Sequence, residues 1–414
     1  MLGDPELLLD EAAERRYGGA AASLPDAGDM VVEFGLGDEA GSLAAETRAF
    51  FDALPAETRA RADYSYAGHI PEVHRQLAEA GLLLPAWPSR LGGRDAGAYA
   101  WKAAHKIWEE IGWTTHAQGT VNIIGLMIDR FGTERCKQDI LARIVSGEIV
   151  CALGCSEPGS GSDVFAAKTR ATRQSDGSWR IDGQKMFTSG AEHSDYAIVL
   201  ARTDPDAPKH KGITMFMVPL RGEGVTIHEV KTFQDERTNI TFYDGVAVPD
   251  AYRLGEVDGG LEVMALALEI EQGMGFGPYQ EKLLHAAERL LTRSQRRGRP
   301  AMEDAAVRRR LTRAAANAMA SECLHNRILW VTEEGRPNFA YGPAVKMFSS
   351  EAFRTDSFDL LNLTAPESLV FSDEDAACIN LSYRHSQVTT VYGGTSEVQR
   401  SQIAERLLNL PRTR

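Results

Sequence analysis

The hydrophobic period of this chain changes twice, and those two changes constrain its fold more than any single motif. From Asp38 to Ser146 the apolar residues recur three and four apart, as in "SLAAETRAFFDAL", "VHRQLAEAGLL", "AYAWKAAHKIWEEIG" and "CKQDILARIV", the spacing of helices with one buried stripe. From about residue 149 the texture becomes short β-rich runs, "DYAIVLAR", "GITMFMVPL", "GVTIHEV" and "NITFYDGVAVP". "SDGSW" and "IDG" supply hairpin turns between them, since Asp-Gly accepts positive φ. After Gly260 helical spacing returns in "LEVMALALEIEQGMG", "YQEKLLHAAERLLTRSQ", "DAAVRRRLTRAAANAMASECLHNRILWVTEEG", "GPAVKMFSSEAFRTDSFDLLNL" and "TSEVQRSQIAERLL". The predicted class is α+β, with a helical N-terminal domain at 38–148, a β domain at 149–255 and a C-terminal helical bundle at 256–414. Residues 1–37 read as an acidic extension.

A chain of 414 residues is long enough for such a division. Its net charge of −13 makes it a poor partner for nucleic acid. The first 50 residues carry eleven acids against three bases. That start fits neither a secretory signal nor a transit peptide, so a cytoplasmic location is expected, with no membrane span. Five cysteines, of which Cys151 and Cys155 are close, form neither a disulfide framework nor a zinc pattern. No metal is expected. Eight arginines fall between Arg293 and Arg313. They read either as a solvated face or as a phosphate site.

Three stretches carry chemistry. "CALGCSEPGSGSDVFAAKTR" (151–170) ends a β segment in a loop rich in backbone N–H groups and hydroxyls, suited to phosphates or a flat polar ring. It is neither a Walker A loop nor GxGxxG before a crossover helix. "DGQKMFTSG" (182–190) adds an aromatic residue and two hydroxyls. "VYGGTSEVQR" (391–400) puts two glycines before a helix, where Ser396 and Gln399 fit a capping box.

In this order, and with "WPSRLGGRD…IWEEIG" before them, these blocks make the chain resemble the acyl-CoA dehydrogenase family over roughly residues 40–411. The resemblance implies a helical domain, a middle β-barrel and a C-terminal four-helix bundle, with FAD as cofactor. It implies Leu153, Cys155 and Ser156 at the flavin ring, Ser162 at a phosphate or the substrate arm, and Phe187 and Ser189 in place of the usual tryptophan and threonine. Thr395 and Glu397 would touch the far end of FAD, and the two glycines would bring backbone N–H groups close to flavin and substrate. Asn239 replaces an arginine near the CoA arm of some relatives, and Gly394 would lie at the substrate.

The resemblance also implies the reaction. A carboxylate takes the α-proton of an acyl-CoA, the β-hydrogen leaves as hydride, and electrons pass to an electron-transfer flavoprotein. Many members carry that glutamate where this chain has Gly393, which offers an N–H to the thioester oxygen but no acid. Others carry it on the first long C-terminal helix. There "ALEIEQ" (267–272) aligns the base with Glu271, and Glu269 falls about 200° around the helix. Gly273, Gly275 and Gly277 beside it hint at a branched or ring-bearing acyl group. The family's Arg-x-x-Phe-Gly stretch is only "RRGRP" here, and "DLLNLTAPESLV" stands in place of Gln-x-x-Gly-Gly. Three readings follow: a dehydrogenase acting as a homo- or hetero-oligomer, a partner subunit completing another chain's FAD site, and a flavin oxidase or monooxygenase of the same fold.

Overall fold

The computed structural model describes residues 37–62, 68–271, 275–296, 298–335 and 340–411. The acidic extension therefore lies outside the described residues. The chain divides into two compact units, the first Leu36–Glu271, the second comprising Gln272–Arg414.

The helices of the first unit include α1 (Gly37–Ala53), α2 (Ala56–Ala62), α3 (Pro71–Glu79), α4 (Ala98–Glu110) and α5 (His116–Phe131). The apolar spacing does what the sequence requires. In α4 the buried residues are Ala100, Ala103, Ala104, Ile107 and Trp108, one stripe of the helix. Phe51 of α1 meets Trp108 and Trp113 edge-on or tilted, at ring-centroid distances of 4.8 and 5.2 Å. Trp113 Nε1 donates to the carbonyl of Gly68 at 2.7 Å, which satisfies the one polar atom of a buried indole.

The strands are β1 (Cys151–Gly154), β2 (Arg170–Arg173), β3 (Trp179–Met186), β4 (Tyr196–Arg202), β5 (Ile213–Pro219), β6 (Val225–Lys231), β7 (Arg237–Val248) and β8 (Arg253–Leu254). They form one eight-stranded sheet in the order β6-β7-β3-β2-β4-β5-β8, with β1 also pairing β4. Trp179 of β3 and Phe216 of β5 meet inside it at 5.2 Å. The "SDGSW" turn joins β2 to β3 as expected. "IDG" is not a turn: β3 runs straight through it, and the register against β7 slips between Ile181 and Gly183. Asp-Gly is as good a β-bulge as a hairpin turn, because both need the glycine's freedom. Gly183 has φ +150°, and a Cβ there would lie 2.6 Å from Thr169 Oγ1.

Along one edge of β4, β1 pairs residues 196–199, and Arg170, the first residue of β2, pairs Arg202. The 155–169 loop is thus an excursion that leaves and rejoins the same strand edge. The helix α6 (Gly260–Glu271) buries Val263, Met264 and Ala267 in the same apolar cluster as Ile198, Leu200, Met215 and the N-terminal helices. It packs with the sheet, although the sequence grouped it with the C-terminal helices.

The second unit holds α7 (Gly277–Arg293), α8 (Ala305–Glu333), α9 (Tyr341–Leu363), α10 (Glu374–Thr389) and α11 (Ser396–Arg406). Its core includes Phe276, Leu283, Leu290, Leu311, Phe353, Leu360 and Ile379. The predicted run through "EIEQGMG" is a helix only to Glu271 among the described residues, and α7 starts anew at Gly277 with Pro278 in its first turn. So Gly275 and Gly277 lie between helices or at a helix start and not in a helix interior; Gly273 lies outside the described residues. The helix α10 was not anticipated. Its buried residues are Asp375, Ala376, Ile379, Ser386 and Thr389, so no apolar stripe announces it. Its start was readable: Asp373 caps it, followed by Glu374 and Asp375.

Candidate active site

In the first unit the site is built on the 155–169 loop. β1 delivers half-buried Leu153, Cys155 and Ser156. The loop then turns tightly, with Glu157 N donating to Ser160 O at 2.8 Å and Ser160 N returning to Glu157 O at 3.1 Å. Gly159 and Gly161 have nothing within 4 Å of a would-be Cβ. Ser162 is exposed. Ser160 is 4 % exposed, and its Oγ has no protein partner. A hydroxyl so buried and unpaired asks for a ligand or water.

Lys185 and Glu157, which sequence reasoning passed over, hold this loop. Lys185 Nζ donates to Glu157 Oε1 at 2.8 Å, Leu200 O at 2.6 Å and Cys155 O at 3.3 Å. Glu157 also accepts from the amides of Lys168 (2.7 Å) and Thr169 (2.9 Å). Burial pushes its carboxyl up, but the Lys185 ammonium and those two amides outweigh it and hold the group below its ordinary value.

Met186 N donates to Ser156 O at 2.9 Å, which sets the loop beside the next residue, Phe187. Phe187 is 61 % exposed at φ +58°. An exposed aromatic ring on left-handed backbone is costly twice over and points to a surface the protein uses. Ser189 Oγ lies 2.9 Å from Thr238 Oγ1.

Asn239 does not meet its expectation. It is fully buried. Its Nδ2 donates to Thr188 O at 3.0 Å and Glu192 Oε2 at 2.6 Å, and its Oδ1 accepts from Arg237 at 3.0 Å. With both donors and an acceptor engaged, the side chain secures the turn after β3 and has no edge left for a substrate. Cys151 and Cys155 are in no disulfide, and no group of His, Cys, Asp or Glu among the described residues could hold a metal ion.

Glu271 is the last residue of α6. Its side chain and that of Glu269, with residues 272–274, lie outside the described residues.

In the second unit Gly393 and Gly394 have φ of +62° and +85°. Gln399 Nε2 donates to Gly393 O at 2.8 Å and Lys346 Nζ to Gly394 O at 2.6 Å. Since a trans peptide sets C=O and the next N–H antiparallel, the N–H groups of Gly394 and Thr395 point away from those partners. The helix cap lies one residue before its expected place: Thr395, not Ser396, accepts from Val398 N at 3.2 Å. Gln399 reaches back beyond the cap to the glycine carbonyls. Glu397 is exposed in the first turn, its carboxyl held low by its own amide and by Thr395. Beneath the glycines Tyr392 Oη lies 3.3 Å from His385 Nε2, and His385 stacks on Tyr279 at 4.8 Å.

Four of the eight arginines in the run make intramolecular side-chain bonds. Arg293 pairs with Asp373 and Asp375 at 2.6 Å, Arg310 with Asp359 at 2.5 Å and Arg313 with Asp359 at 2.8 Å. Arg308 donates to the carbonyls of Met302 and Glu303. Arg296, Arg299 and Arg309 are exposed, and Arg297 lies outside the described residues.

Residues 37–148, 152–241 and 258–408 match, respectively, the N-terminal, middle and C-terminal domains of acyl-CoA dehydrogenase. The chain belongs to the acyl-CoA dehydrogenase family. It is 31 % identical to acyl-CoA dehydrogenase FadE34 of Mycobacterium tuberculosis, over 83 % of this chain and 47 % of that protein, so it spans about half of FadE34. It is 30 % identical to acyl-CoA dehydrogenase IpdE1 of the same organism, over 82 % of this chain and 87 % of that one. The solved Tcur3481-Tcur3483 steroid ACAD superposes with a TM-score of 0.80 at 30 % identity, over 92 % of this chain and 100 % of that one.

An acyl-CoA dehydrogenase is an oxidoreductase and, by family, a flavoprotein. The residues of the first unit fit such a cofactor. The loop offers uncrowded glycines, the unpaired Ser160 Oγ and the exposed Ser162 for polar oxygens, and Phe187 offers a flat wall. No described helix is long and apolar enough to cross a membrane.

Proposed function

We propose that this chain binds FAD and catalyses α,β-dehydrogenation of an acyl-CoA thioester to the trans-2-enoyl-CoA, with electrons passing on to an electron-transfer flavoprotein. The observation that carries the cofactor reading is the bond from Met186 N to Ser156 O, which sets a hydroxyl-bearing loop next to the exposed ring of Phe187. In this reading Leu153, Cys155, Ser156 and Ser189 border the ring system, Ser162 meets a phosphate or the substrate arm, and Thr395 and Glu397 meet the far end of FAD. Bound there, the flavin supplies the two-electron acceptor for the β-hydrogen.

Glu271 takes the α-proton. Its support is that Gly393 has no side chain, while "ALEIEQ" carries acids on α6. As charge grows on the thioester oxygen, the backbone N–H groups of Gly393 and Gly394 stabilise it. The bonds to the Gly393 and Gly394 carbonyls tie this loop down, the first of them setting the peptide that carries the Gly394 N–H, and fixed dipoles aimed at a developing charge cost no reorganisation.

The acyl group is branched or ring-bearing. The similarity to a relative described as a steroid ACAD and the small residues Gly275 and Gly277 support this. That relative is named for two chains, which favours a second reading of the assembly, a hetero-oligomer in which another chain completes the FAD site.

The test is the visible spectrum of the chain purified alone, before and after anaerobic addition of straight, branched and ring-bearing acyl-CoA thioesters. A flavin band bleached by a branched or ring-bearing thioester is expected. Colourless protein that takes up FAD only with a second chain favours the hetero-oligomer. A flavin band that no thioester bleaches refutes the dehydrogenase reading.

A further inference from the structure

We propose that Glu157 and Lys185 are positioning residues: their buried ion pair, and not the glycine-rich loop itself, fixes the 155–169 segment against Phe187 and so sets the shape of the face that receives FAD. This inference rests on the cofactor reading above.

Pro158, Gly159, Gly161, Ser162 and Asp163 are exposed, and glycine loses the most freedom when ordered. Between its ends the loop is tied by the Glu157–Ser160 turn, by Lys209 to Asp163 at 2.6 Å and by Arg202 to the carbonyl of Phe165 at 2.6 Å. What joins its two ends lies at its base. The loop interrupts the ladder on one edge of β4, between Val199, paired with Gly154, and Arg202, paired with Arg170. Leu200 falls in that gap, and Lys185 Nζ takes its carbonyl at 2.6 Å. The other two ammonium protons go to Cys155 O and Glu157. Glu157 in turn gathers the amides of Lys168 and Thr169 at the far end. One ion pair, its side chains 0 % and 6 % exposed, thus closes the loop's entry, its exit and β4 together. Met186 and Phe187 follow Lys185 directly, so the same anchor sets the ring. Three protons matched to three acceptors leave no slack for a second arrangement.

Stability and positioning separate cleanly here. Removing one partner leaves a buried charge, which destabilises strongly, whereas removing both relieves it. The experiment compares Glu157→Gln, Lys185→Met and the double variant in the full-length chain. It reads thermal midpoint, amide hydrogen exchange over 155–169, and the dissociation constant of added FAD after flavin removal. We expect each single variant to melt lower than wild type. The double variant should recover part of that loss. Its FAD dissociation constant should nevertheless rise about tenfold or more, as expected if the untied loop holds the receiving shape for about a tenth of the time or less. Exchange at Ser160, Lys168 and Thr169 should quicken.

A double variant that binds FAD as wild type does overturns the proposal. So does failure of all three to fold, which makes the pair a folding element. Wild-type chain that takes up no FAD, alone or with a partner chain, overturns the cofactor reading as well.

Discussion

Gln399, in the first turn of α11, donates its amide to the carbonyl of Gly393, six residues earlier, at 2.8 Å. A helix residue thereby fixes the loop that precedes its own helix. Gly394, next to it, must remain glycine: its φ is +85°, and a Cβ would stand 2.6 Å from Gln399 Nε2. We expect Gly394→Ala to cost about 1–2 kcal/mol, from the left-handed backbone and the displaced amide. Turnover should fall further than stability accounts for. Thermal melts and steady-state rates of the purified variant check this; an unchanged rate would separate the glycine carbonyls from the chemistry.

Phe353 is fully buried in the helical core, against Phe276 at 6.5 Å. Phe353→Ala should destabilise by about 3–5 kcal/mol. Met319, 69 % exposed on α8, should tolerate alanine within about 0.5 kcal/mol. Denaturant titration of the two variants gives the comparison, and equal losses would contradict the assigned core.

His74 makes the first unit sensitive to acid. The buried ring sits in a closed set of polar contacts: Nε2 lies 2.6 Å from Gln118 Nε2, and Nδ1 lies 3.0 Å from Ile70 O and 3.3 Å from Ile70 N. Burial pushes the imidazole down to about 3, with His69 adding to it. Below its ordinary 6.5 the unfolded chain binds a proton that the folded chain refuses. Stability therefore falls as pH drops from about 6.5 towards 3, by up to about 1.4 kcal/mol per pH unit. His74→Gln should be less stable at neutral pH but lose less on acidification. Denaturation curves at pH 7, 6 and 5 test it, and parallel slopes for both proteins would contradict it.

What the sequence showed and what it hid follow one physical line. Local periodicity revealed α4 and the paired β strands because their buried faces are apolar. It missed α10, whose buried positions include Asp375, Ser386 and Thr389. The Asp-Gly of "IDG" was misjudged because a turn and a bulge ask the same of a glycine. Nor could the sequence pair its charges: Arg313 meets Asp359 and Arg293 meets Asp375, 46 and 82 residues away. Nothing in the sequence marks Lys185 and Lys346 as buried, and only the folded chain supplies the carbonyls of Leu200 and Gly394 that take their ammonium protons. In the site, Phe187 and the Ser-Gly loop were legible from residue type. Asn239 was not, since its burial depends on Glu192 and Arg237.

The central claim is that Glu271 is the base that Gly393 cannot be. Its most direct test is the anaerobic rate of flavin reduction by acyl-CoA in wild type and Glu271→Gln, with FAD content and acyl-CoA affinity measured on the same samples. The account expects the variant to keep both ligands and to reduce flavin at least about 100-fold more slowly, the usual loss of a general base. Reduction at the wild-type rate would contradict it and return the search for the base to the rest of the chain.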